Sequence, residues 1–189
     1  MLGSHRSSTE GMQDLIDVLQ AMVARKGEAD PRELLLDMGE RVVKCVAAMF
    51  GSKADEVAIL LLTADGRHLR FAAPRKFVDL GTIPVTKRDS IAVSVLARKA
   101  GEAMNNVPMV KHVAFFESVK LRDRMAPIQK MITVPILRGD QAVGVAQISR
   151  KGETPAEAGP DFSPADVTRA QDLFQAVSRF LADARPERF

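Results

Sequence analysis

A chain of 189 residues, 46% hydrophobic and 27% charged, has the size and make-up of one globular domain with a real core and leaves little room for a second. Its single cysteine excludes an internal disulfide framework and any cysteine-based zinc site, and no apolar run approaches the ~20 residues of a membrane helix. The net charge of +3 hides an uneven spread: residues 1–64 carry 7 basic against 10 acidic side chains (−3), residues 65–138 carry 14 against 6 (+8), and residues 139–189 carry 6 against 8 (−2). A basic middle third between acidic flanks either attracts an anionic ligand or partner or is solvated surface. With no Trp or Tyr there is a poor stacking platform, so nucleic acid is not expected. Residues 1–10 lack the apolar stretch of a secretory signal, so a cytoplasmic location without membrane association is expected.

Along the chain, residues 1–10 read as a tail. Met12, Leu15, Ile16, Leu19, Met22 and Val23 recur at three- and four-residue spacing and predict an amphipathic helix within residues 11–29. Its apolar stripe is narrow, closer to a coiled-coil seam than to a core helix. Asp30 and Pro31 predict the cap and first turn of a second helix, which aligns Leu35, Met38, Val42, Val46 and Met49 and stops at Gly51.

The period then shortens. The apolar run Val57 to Leu62 predicts a central strand, Asp65-Gly66 a tight turn, and His68 to Ala72 the return strand. Ile83 to Thr86 predicts an edge strand, since Pro84 cannot donate to a ladder. A short helix runs from Ser90 to Lys99, with Gly101 as its stop. Residues 102–130 are irregular, with one or two short helices expected around Val110 to Val119. Met131 to Leu137 and Ala142 to Ser149 predict a second hairpin. Ser163, Pro164 and Asp166 open a last helix whose apolar face is Val167, Ala170, Leu173, Phe174, Val177, Phe180 and Leu181.

This order predicts an α+β domain over residues 30–184, with 185–189 a tail. A central antiparallel sheet of five or six strands carries the terminal helices on one face, and short helices and loops cover the other. A cavity between the sheet and that cover is where a small ligand would bind. Its expected lining is Phe71, Phe77, Asn105, Asn106, Met109, Phe115, Phe116 and Thr133, with Arg75 and Lys111 near the mouth; the alternative is that the Phe and Met side chains simply fill the core.

Several segments together resemble a GAF domain, over roughly Arg32 to Ala182: the Asp65-Gly66 turn, Arg98-Lys99-Ala100-Gly101-Glu102-Ala103, Val134-Pro135-Ile136, Val143-Gly144-Val145-Ala146-Gln147-Ile148, and Phe162-Ser163-Pro164-Ala165-Asp166. The resemblance implies a GAF/PAS-like fold and a bacterial signalling role. Cyclic-nucleotide-binding members of that family carry Asn-Lys after the strand and Phe-x-x-x-Asp-Glu at the helix start. Here Arg150-Lys151 and Phe162, Asp166 and Val167 stand in those places, two departures that argue against a cyclic nucleotide while leaving another anion open. The retained Lys151 and Asp166 are expected, through the resemblance, to form a structural ion pair.

No catalytic centre is read from the sequence. Cys45 falls among Val42, Val46 and Met49, where a buried thiol is inert. Free methionine-sulfoxide reductases resemble this fold but work through several cysteines, and one cysteine likewise removes covalent bilin attachment. Of His5, His68 and His112, only His112 falls in the pocket-forming segment, as a ligand-lining residue or, in the weakest reading, an axial haem ligand. No motif specifies a cofactor or a metal. The expectation is a non-catalytic sensor that binds a small, potentially anionic ligand and signals as a homodimer through the Met12–Val23 and Phe174–Leu181 helices. The alternative is a ligand-free dimerisation or adaptor module.

Overall fold

The computed structural model describes residues 8–109, 126–187 and 189. Helix α1 (Ser8–Ala24) leads into α2 (Pro31–Phe50), where Asp30 accepts hydrogen bonds from the backbone N–H groups of Arg32 and Glu33, both at 3.0 Å. Gly51 closes α2 in the left-handed region at φ 62°, a conformation glycine adopts without Cβ strain. Strands β1 (Val57–Leu62) and β2 (His68–Ala73) follow, and Asp65 builds their turn by accepting from the Thr63 hydroxyl at 2.6 Å and the Arg67 N–H at 3.0 Å. Then come β3 (Thr82–Pro84), α3 (Ile91–Arg98), β4 (Glu102–Met104), β5 (Ile128–Arg138), β6 (Gln141–Lys151) and α4 (Pro164–Ala184).

The six described strands form one antiparallel sheet in the order β3-β2-β1-β6-β5-β4. Because side chains alternate along a strand, each strand supplies two cores. Val57, Ile59 and Leu61 of β1, Ile132, Val134 and Ile136 of β5, and Ala146 and Ile148 of β6 face α2 and α4. Ala58 and Leu60 of β1, Leu69 and Phe71 of β2, and Val145 of β6 face the other way, against Ala92, Val93 and Val95 of α3 and Phe77. The α+β architecture with terminal helices on one face is as expected.

Three details differ from the sequence expectations. Strand β4, within the stretch read as irregular, pairs with β5 as the far edge of the sheet. Lys99, not Gly101, caps α3 in the left-handed region at φ 55°. Gly101 answers to packing instead, since a Cβ there would lie 2.9 Å from Val134 Cγ1 and 3.0 Å from Val167 Cγ1. The third concerns α1, whose stripe looked unplaced. Leu19 is fully buried and Leu15 nearly so, with Met12, Ile16, Met22 and Val23 packed against the same core as α2 and α4. A coiled-coil-like spacing fits equally a helix laid in the groove between two neighbours of its own chain. Phe174, Val177, Phe180 and Leu181 are also interior, so the faces named for a dimer seam are already covered within the protomer.

Candidate functional site

The sheet face toward α3 is apolar beside α3 and turns polar along β6, where Gln147 and Ser149 are both buried. Paired residues on neighbouring strands share a face, and Phe71, Leu60, Val145 and Pro135 run side by side across β2, β1, β6 and β5. The next row is Ala58, Gln147, Thr133 and Glu102, across β1, β6, β5 and β4. Thr133 and Gln147 are 1% and 3% exposed, and the Gln147 Nε2 donates to Thr133 Oγ1 at 3.2 Å. The Gln147 Oε1 is buried and has no hydrogen-bond partner. A polar pair in the middle of a buried sheet face, with one carbonyl oxygen unmatched, is costly unless something completes it. At the end of the row, Glu102 meets the Arg98 guanidinium of α3 at 2.9 Å.

The expected site residues scatter. Phe71 and Phe77 do stand on this face, edge-to-face with ring centroids 5.7 Å apart, as part of the second core, and Thr133 belongs to the polar row. Asn105 does not line the face with its amide. Its Nδ2 donates to the Phe162 carbonyl at 2.9 Å and its Oδ1 accepts from the Phe162 N–H at 2.8 Å, clasping the end of β4 to the start of α4. Asn106 is exposed, and Met109 is 75% exposed, because the 3-10 turn Val107–Met109 turns inward only Val107. Arg75 is held away by α2, pairing with Glu33 at 2.9 Å and Asp37 at 2.7 Å. Lys111, His112, Phe115 and Phe116 lie outside the described residues, as do the short helices expected around Val110 to Val119.

The expected Lys151–Asp166 ion pair is not formed. Lys151 Nζ lies 3.6 Å from the Asp55 carboxylate and donates to the Asp55 carbonyl at 2.7 Å, pinning β6 to the 3-10 turn Ala54–Glu56. Burial lowers the Lys151 pKa against the opposing pull of Asp55 and Glu56. Burial also raises that of Asp55, but Lys151 and Lys76 outweigh it and the net shift is downward. Asp166 is instead occupied by the cap of its own helix. Its Oδ2 accepts from the Ser163 N–H and hydroxyl, both at 2.8 Å, because a carboxylate at the third position of α4 reaches back to the cap residue before it can reach a neighbouring loop.

Cys45 sits on the helix side, half-buried, with Sγ 3.9 Å from both the Gly11 carbonyl oxygen and Met49 Sδ. Burial pushes its thiol pKa up, which lowers its reactivity at neutral pH. Among the described residues no group of three or more His, Cys, Asp or Glu side chains is placed to hold a metal ion, and no helix is long and apolar enough to cross a membrane. A separate open groove of about 650 Å³ runs between α1, α2 and α4, with Met12, Met49 and Leu173 on its floor and Gln13, Arg169 and Asp172 on its walls.

The sequence reading missed Gln147, Glu102 and Arg98. Each stood inside a segment already assigned to the fold pattern, and their common row becomes visible only when β4, β5 and β6 are aligned.

No family model and no curated protein matches this chain. Solved structures do. The GAF domain of an Acinetobacter phosphoenolpyruvate-protein phosphotransferase superposes with a TM-score of 0.60 at 20% identity, over 89% of this chain and 92% of that one. The GAF domain of the Coxiella burnetii phosphoenolpyruvate-protein phosphotransferase gives 0.65 at 12% identity, over 95% and 97%. A free methionine-R-sulfoxide reductase from Neisseria meningitidis, solved with its substrate, gives 0.58 at 14% identity, over 98% and 96%. At these identities the likeness establishes a fold shared by regulatory domains and by an enzyme.

Proposed function

We propose that this GAF-type fold serves as a non-catalytic sensory domain that takes a small molecule on the sheet face carrying Thr133 and Gln147. The observation that carries the reading is that buried polar pair, set beside the apolar residues Leu60, Phe71 and Val145 and left one hydrogen bond short. Apolar walls with few, placed polar groups are the chemistry of a small-ligand site. The several phosphotransferase and chemotaxis proteins of like fold support a regulatory role.

The sulfoxide-reductase likeness supports the shape of the site more than the reaction. Thiol–disulfide turnover within one chain requires a second cysteine to close the bond, and this chain has one. That one lies on α2, across the sheet from Gln147. Output would run through association of two copies along the solvent side of α1, where Val18 is exposed. Native mass spectrometry of freshly purified protein, with an absorption spectrum, tests the reading. A retained small mass supports it, a bare dimer favours a ligand-free adaptor, and a Soret band favours haem.

A further inference from the structure

We draw no further inference here: the strongest candidate, the open groove of about 650 Å³ between α1, α2 and α4 with Met12, Met49 and Leu173 on its floor, is an apolar face and nothing in the structure shows what covers it.

Discussion

At Asn105 both halves of a carboxamide meet a single peptide unit of Phe162, and its neighbour Asn106 faces solvent. The two residues are the same type one step apart, so sequence alone could not separate a clasp from a surface amide, and it assigned both to a ligand. Substituting Asn105→Ala leaves the half-buried Phe162 N–H and carbonyl without partners and should cost about 1–3 kcal/mol. Asn106→Ala should stay within about 0.5 kcal/mol of the parent. Urea titrations of the two variants, read by far-UV circular dichroism, measure the difference, and equal midpoints would remove the clasp. Gln147 shows the opposite blindness. Within Val143-Gly144-Val145-Ala146-Gln147-Ile148 it occupies a place that alternation assigns to a sheet face, but which polar atoms it meets depends on Thr133, a neighbour fourteen positions away.

Capped helices were legible because their signals are local. Asp30 with Pro31, and Ser163 with Pro164 and Asp166, predict the starts of α2 and α4 from four consecutive residues, and the structure shows those bonds. The hairpins were legible for the same reason, as the turn lies between its own strands. Strand β4 was not, since three residues give no period and its partner β5 begins well over twenty residues later. At the α4 cap the sign of a pH effect follows directly. The Ser163 backbone N–H, then its hydroxyl, holds the Asp166 carboxyl below its ordinary 3.8. A depressed folded pKa contributes stability that is present above the unfolded value and is lost as pH falls through the folded one. Asp166→Asn should therefore be less stable than the parent by about 1 kcal/mol at neutral pH, the typical worth of a cap. The difference should narrow below about pH 4 as the parent loses its own carboxylate. Thermal melts of both proteins between pH 7 and pH 3 check it, and a gap that stays constant would show that Asp166 acts through shape and not charge.

For the molecule as a whole, α1 decides between an arm held out for a partner and an outer layer of the fold. Its stripe packs on α2 and α4, which themselves cover the sheet, so it completes a third layer. The spacing of Met12 to Val23 could not distinguish the two, because a groove between two helices of the same chain and a facing helix of a second chain demand the same seam. The two faces of α1 nonetheless make separable predictions. Leu19 is fully buried, so Leu19→Ala should remove about 2–5 kcal/mol of stability, the range for a leucine truncated in a packed core. Val18, one residue away, is 37% exposed on the outer side. Val18→Glu should leave the melting temperature close to the parent's. If two copies associate along that surface, it should also shift the light-scattering mass from dimer toward monomer, because a charge placed in an apolar contact must be desolvated in each copy. A parent that already scatters as a monomer at micromolar concentration removes the association. A Leu19→Ala protein as stable as the parent removes the third layer, and with it the reason this helix belongs to the domain.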